Sequence, residues 1–197
     1  MNDNPLSIRL PCRILCHVCC GPCSIFPLKT LLGNDAEVWG YFYNPNIHPL
    51  AEFKKRLEAV KTLSAFMSVK MLYNEEYRPI EFIKQMKASV GDVEYPPYKE
   101  RCAYCYTVRL EATAKAAKKG GFDAFTSSLL YSRYQAHDEI RRVGYEIGER
   151  IGIPFYYADF RGGWQAGIDE SKAMGLYRQK YCGCIYSKIE RYAKKKA

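Results

Sequence analysis

Short apolar or β-branched runs alternate along this chain with longer amphipathic ones, and that alternation restricts the fold more than any other feature. Ile14–Val18 reads as a buried strand running straight into the turn Cys19-Cys20-Gly21-Pro22-Cys23. Ser24–Leu32 suits a helix stopped by Gly33. Val38–Tyr43 is β-branched and aromatic, and the turn residues Asn44-Pro45-Asn46 close it. In Leu50–Phe66, Phe53, Leu57, Val60, Leu63 and Ala65 fall at roughly helical spacing with charges between. A strand at Val69–Leu72 and a helix around Ile80–Ala88 follow, then an irregular, proline-bearing loop at Gly91–Lys99. Thr107–Lys119 is an alanine-rich basic helix ended by Gly120-Gly121. Phe122–Leu130 is a strand candidate, His137–Ile151 an amphipathic helix and Ile153–Ala158 a further strand. Gln165–Met174 and Ile185–Lys194 complete the series as helices.

The order predicts an α/β fold: a single Rossmann-like domain with a mainly parallel sheet and helices on both faces. No repeat, low-complexity block or linker divides residues 1–197, and residues 1–11 are expected to be a poorly ordered N-terminal segment. In such sheets ligands gather beyond the carboxyl ends of the strands, and Cys19–Cys23 follows the first strand directly. No apolar run is long enough to span a bilayer. The N-terminus lacks the basic start, apolar stretch and small-residue cleavage site of a signal peptide. A cytoplasmic setting without a membrane partner is the expectation. The formal charge of +9, from 30 Lys and Arg against 21 Asp and Glu, favours polyanionic partners that release counterions on binding. Part of that excess is the terminal run Lys194-Lys195-Lys196, a solvated end.

Nine cysteines are the strongest compositional signal. In a reducing compartment clustered thiols bind metal or do redox work more often than they form structural disulfides. Cys12 and Cys16 sit in or beside the first strand and read as small core residues. The other seven form three groups: Cys19-Cys20-Gly21-Pro22-Cys23, Cys102-Ala103-Tyr104-Cys105 and Cys182-Gly183-Cys184. Cys-x-x-Cys lets two thiolates close on one metal from a turn or a first helical turn. Cys-Gly-Cys does the same from an extended segment, where alternate residues share a side, and Gly183 frees the backbone for close approach. Adjacent Cys19 and Cys20 are expected to diverge and to serve two neighbouring metals, or one metal and a substrate. A typical iron–sulfur cluster takes about four thiolates, which leaves a surplus for a second thiolate-bound metal or a reactive dithiol. Two other readings stand beside this one. A structural zinc site within an RNA-binding module is one. The other is a thiol–disulfide oxidoreductase, because Cys20-Gly21-Pro22-Cys23 matches the thioredoxin tetrapeptide, though that chemistry needs neither Cys19 nor the distal groups.

Between Ile14 and Tyr192 the chain resembles the QueH family of epoxyqueuosine reductases. The resemblance rests on Leu15–Ser24 (LCHVCCGPCS), Tyr43–Pro49 (YNPNIHP), Arg101–Cys105 with Arg109-Leu110, Ser132–His137 (SRYQAH), Asp159-Phe160-Arg161 and Leu176–Cys184 (LYRQKYCGC). Arg133 stands where many relatives carry proline, and Glu94–Glu100 departs from the usual acidic, glycine-bearing approach to the second cysteine pair. Neither departure touches a thiol.

The resemblance implies a single catalytic domain that removes the epoxide oxygen of epoxyqueuosine at the tRNA wobble position. It implies a [4Fe–4S] cluster beside an additional mononuclear iron, with Cys19, Cys20, Cys23, Cys102, Cys105, Cys182 and Cys184 as undivided metal ligands. An external donor such as ferredoxin or flavodoxin is expected to supply the electrons. His17, beside the thiol turn, is the first candidate proton donor because imidazole titrates near neutrality, with Asp159 second. Single-stranded bases are read by stacking and Arg contacts. Tyr43, Arg133, Tyr134, Arg161, Arg178 and Tyr181 are therefore the candidate substrate residues, with the helix Thr107–Lys119 as a candidate phosphate-facing surface.

Overall fold

A computed structural model describes residues 12–193, so the expectation for residues 1–11 lies outside the described residues. Four strands, β1 (Arg13–His17), β2 (Glu37–Phe42), β3 (Lys70–Tyr73) and β4 (Ala124–Ser127), form one parallel sheet in the order β3-β2-β1-β4. Successive side chains of β1 point to opposite faces, yet Ile14, Leu15 and Cys16 are all fully buried. Only a central strand covered on both sides accepts such an unbroken apolar run. Cys12 and Cys16 are buried core residues, as their sequence context indicates.

Among the described residues seven helices surround the sheet: α1 (Gly21–Leu32), α2 (Leu50–Met67), α3 (Pro79–Val90), α4 (Tyr98–Lys119), α5 (His137–Ile151), α6 (Trp164–Ala173) and α7 (Ile185–Ala193). The chain steps outward from β1 to β2 and β3, then returns to β4 on the other side of β1. With right-handed crossovers, that reversal places the connecting helices on opposite faces. It also opens a crevice between the carboxyl ends of β1 and β4. Accordingly α1 packs on α2 and α6, while α4 packs on β1, β4 and α5. In α5 the buried residues Ile140, Val143 and Ile147 follow helical spacing. Gly144 lets Phe155 lie against this helix, since a Cβ there would sit 2.4 Å from the Phe155 ring. Among the described residues, no helix is long and apolar enough to cross a membrane.

Three elements differ from the sequence reading. The strand expected at Ile153–Ala158 contributes one parallel bridge, Phe155 to Phe125. Pro154 has no N–H to donate, and its carbonyl accepts from Phe125 N while Tyr156 N donates to Phe125 O. The strand expected over Phe122–Leu130 ends at Ser127, whose hydroxyl accepts from Leu129 N and turns Ser128–Tyr131 into a 3-10 helix. Helix α4 begins at Tyr98 rather than Thr107, so Cys102 and Cys105 stand on the helix itself.

Candidate metal centre and cleft

The first thiol group sits where β1 gives way to α1, at the crevice the strand order creates. Cys20 is the N-cap of α1 with extended backbone (φ −168°, ψ 160°), and Gly21 allows the close approach of α1 to Ala59 of α2. This geometry corrects the expectation that adjacent thiols diverge: Cys19 Sγ and Cys20 Sγ are 3.7 Å apart. Cys19, Cys20 and Cys23 place their sulfurs within 4.8 Å of one another, an arrangement able to hold a metal ion. Ser128, just beyond β4, closes the crevice, with its hydroxyl accepting from Cys19 N at 3.3 Å and lying 3.6 Å from Cys19 Sγ. Gln179 reaches in from the C-terminal loop and donates to Cys20 Sγ at 2.9 Å and Cys23 Sγ at 3.1 Å.

The third group depends on a buried ion pair of α2. Arg56 Nε donates to Glu52 at 2.8 Å, and its two terminal nitrogens donate to the carbonyls of Tyr181 and Cys182, each at 2.9 Å. Glu52 also accepts from the Tyr177 hydroxyl at 2.5 Å, and Tyr181 OH donates to His48 O at 2.6 Å. Between these anchors Gly183 adopts φ 121°, and a Cβ there would meet Ile47 at 3.1 Å and the Arg56 guanidinium at 3.2 Å. Glycine is required on both counts. The loop so held brings Cys182 Sγ and Cys184 Sγ to 3.8 Å, with Ser187 N donating to Cys184 Sγ at 3.3 Å.

Arg101 sets α7 against α4. Its guanidinium pairs with Glu190, donates to Pro96 O and lies over the rings of Tyr95, Tyr98 and Tyr186 at 5.1, 5.4 and 5.3 Å. The second and third groups thereby face each other, and Cys102, Cys105, Cys182 and Cys184 line a small cavity of about 30 Å³. A larger cleft of about 630 Å³ holds Cys19, Cys23 and Cys182 together with Tyr131, Tyr134 and Trp164. Arg178, Lys180 and Arg191 also line it, and no ion pair engages these three among the described residues.

The thiols are unequal. Hydrogen bonding with Cys20 and Cys23 holds Cys19 well below the ordinary thiol range, while burial pushes Cys20 up. Cys184 likewise holds Cys182 down at about 5 and is itself raised by the neighbouring thiolate. Burial pushes Cys102 up to about 12 and raises Cys105 as well. Such partly ionised soft donors suit a thiophilic metal or an iron–sulfur centre, whose binding displaces the remaining protons.

The candidate proton donors are placed otherwise than expected. His17 is fully buried behind the thiols: Nε2–H donates to Tyr43 O at 3.2 Å, and Nδ1 accepts from Ser127 OH at 3.0 Å. Burial, then the charge of Arg109, lowers it to about 4, so the ring is neutral and both nitrogens are engaged. Asp159 accepts from Arg161 Nε and Nη2 at 2.8 and 2.6 Å, which holds its carboxyl down at about 2. Asp159 and Arg161 form an exposed pair and neither lines the cleft.

Of the substrate candidates, Tyr134, Arg178 and Tyr181 line the cleft, and Arg133 lies over the Trp164 ring at 5.8 Å. Tyr43 stacks on Tyr41 and faces a separate cavity of about 250 Å³. Along α4, Lys115 and Lys118 are tied to Glu111 and to Ile151 O. They lie about 15–20 Å from Cys105 at ~1.5 Å per residue, which removes these two lysines, though not Arg109 of the same helix, from the cleft. Arg56, Gln179, Tyr131 and Trp164 were not assigned roles from sequence. Nothing in the spacing of Arg56 separated it from the solvated charges of its helix, and lone aromatics carry no spacing signal.

A parallel α/β domain with cysteine thiols gathered at its switch-point crevice, beneath an aromatic and basic cleft, defines a thiolate-metal protein. Residues 14–190 match the family model described as epoxyqueuosine reductase QueH, and the chain belongs to that family. An epoxyqueuosine reductase QueH of Thermotoga maritima is 38% identical over 183 residues, covering 92% of this chain and 93% of the relative. One of Dehalococcoides mccartyi is 36% identical over 182 residues, covering 92% and 96% respectively. A solved structure described as a predicted subunit of tRNA methyltransferase from Methanocaldococcus jannaschii shares the fold, with a TM-score of 0.52 at 12% identity over 82% of this chain and 76% of that one.

Proposed function

We propose that this chain reduces epoxyqueuosine to queuosine at the wobble position of tRNA, in the cytoplasm, as a single catalytic domain using a [4Fe–4S] cluster and an adjacent iron. The three thiols Cys19, Cys20 and Cys23 gathered at the crevice, with Cys102, Cys105, Cys182 and Cys184 lining the neighbouring small cavity, support this reading together with membership of the family. The reaction breaks both C–O bonds of the epoxide. It takes up two electrons and two protons, forms a C=C bond and releases the oxygen as water. A one-electron donor such as ferredoxin or flavodoxin delivers the electrons in two steps. When bound, the cluster and its neighbouring iron supply electron transfer and a Lewis-acid position.

The protein's own residues do the rest. Cys19, Cys20, Cys23, Cys102, Cys105, Cys182 and Cys184 are the ligands. Tyr134 offers a stacking face to an extruded base, and Arg178, Lys180 and Arg191 attract the flanking phosphates. Arg133 backs that wall through Trp164. The cleft admits nucleotide and protons from solvent, while His17 stays behind the thiols as an orienting group. Iron, sulfide and zinc content of anaerobically purified protein, with single-turnover reduction of epoxyqueuosine-containing tRNA, tests this. The expected result is more than four irons with about four sulfides per chain and one queuosine for every two electrons delivered. Zinc without sulfide, and no product, supports the zinc-stabilised RNA-binding reading instead.

A further inference from the structure

Three arginines are buried near the thiols, and one of them is paired unlike the others. Arg56 has Glu52 and two carbonyls, and Arg101 has Glu190, Pro96 O and three tyrosine rings. Arg109, only 4% exposed, has no carboxylate partner among the described residues. Its Nε donates to Cys105 O at 3.1 Å, and its guanidinium lies 5.9 Å from the Tyr106 ring. A guanidinium held out of water without an anion carries a large desolvation cost, and proteins retain one where a negative charge is supplied.

The position shows where that charge comes from. Cys102, Cys105 and Arg109 are three, then four residues apart on α4, so all three project from one face of the helix. Arg109 borders both the small thiol-lined cavity and the open cleft. Its electrostatic neighbours include Cys105, Cys19 and Cys182, one from each of the three groups.

We infer that Arg109 is the built-in counter-charge of the metal–thiolate centre, a positioning residue that keeps the centre's reduction potential up. This rests on the metal reading above. Thiolate-ligated iron–sulfur centres are anionic and gain a further negative charge on reduction, so a fixed cation beside them favours the reduced form.

The test uses anaerobically prepared holoprotein of the parent, Arg109→Gln and Arg109→Lys, with iron and sulfide content and the midpoint potential from an EPR-monitored redox titration. Parent protein without iron and sulfide sinks the metal reading itself, before any variant is compared. With iron present, Arg109→Gln is expected to titrate at lower potential than the parent, and Arg109→Lys, which keeps the charge, to lie between them. If Arg109→Gln takes up no iron, full loading of Arg109→Lys supports the same conclusion. Equal potentials in all three proteins overturn it, including where Arg109→Gln only raises KM, the mark of a substrate contact. So does a Lys variant as low as Gln, or loss of iron from both variants.

Discussion

Replacing Arg56 with methionine tests how the third thiol group is held. Arg56 is 1% exposed and fastens α2 to the carbonyls of Tyr181 and Cys182. Methionine retains much of the side-chain volume and removes the charge, so the cavity contribution is small. What remains is a buried Glu52 carboxylate whose side-chain partner is the Tyr177 hydroxyl. Breaking a buried ion pair from one side costs about 3–5 kcal/mol. The two freed carbonyls belong to residues of the cleft wall and add little beside the stranded charge. In a chain of this size each kcal/mol moves Tm by ~2–4 °C, so the expected fall is roughly 6–20 °C. Differential scanning calorimetry of the metal-free protein reads it. The double variant Arg56→Met with Glu52→Leu recovers most of the loss, because no charge is left stranded. Its iron content nevertheless stays below the parent's, since the loop carbonyls are no longer fixed. A single variant melting within about 2 °C of the parent refutes the argument from the buried pair. A double variant no more stable than the single one refutes the stranded carboxylate as the cause.

Tyr134, 77% exposed and edge-on to Trp164, is the free ring of the cleft wall. Tyr134→Ala removes a stacking face worth about 1–3 kcal/mol, so tRNA affinity in a filter-binding assay falls roughly 5- to 150-fold at unchanged Tm; full affinity excludes the ring from the interface. Asp159 has a depressed folded pKa of about 2, so its contribution is present above its ordinary 3.8 and is lost as pH falls through about 2. The pair with Arg161 is about two-fifths exposed, which screening reduces to under ~1 kcal/mol. Asp159→Asn keeps the cap on Arg161 N, flattens the melting profile only at acid pH and leaves single-turnover reduction intact. Slowed turnover with a normal melt returns Asp159 to catalysis. His17→Gln disturbs the bonds to Ser127 and Tyr43 at a cost of about 1–3 kcal/mol, and single-turnover reduction near neutral pH persists. Loss of turnover with iron content and Tm preserved makes His17 the proton donor after all.

What the sequence made legible follows from its periodicities. The run Ile14–Val18 could only be a covered strand, and its position before the thiol turn located the crevice without any knowledge of strand order. Period alone did not separate a strand from an extended segment with one bridge at Phe155, because both bury the same side chains. Nor did it place the start of α4, since the prolines at 96 and 97 obscured a helix that begins immediately after them. The charged residues resisted most. Arg56, Arg101 and Arg109 look like solvated arginines in a basic chain, and only the packing of α2, α4 and α7 around the thiols takes them out of water. Asp159 and Arg161 misled in the opposite direction. They lie two residues apart in a recognisable stretch, yet they satisfy each other at the surface.

These placements explain why the thiol groups are spaced as they are. A single turn cannot hold several thiolates side by side without crowding like charges, so ionisation within each group must be limited in the metal-free chain. The first and third groups do this by hydrogen bonding within themselves: Cys19 and Cys182 are held low while Cys20 and Cys184 are pushed up. The second group, on a helix and raised by burial, stays protonated too. The three are delivered by elements that meet only when the sheet, α2, α4 and α7 are assembled. On the proposed metal reading, metal binding and completion of the fold are linked, since proton release and neutralisation of Arg109 depend on the same packing.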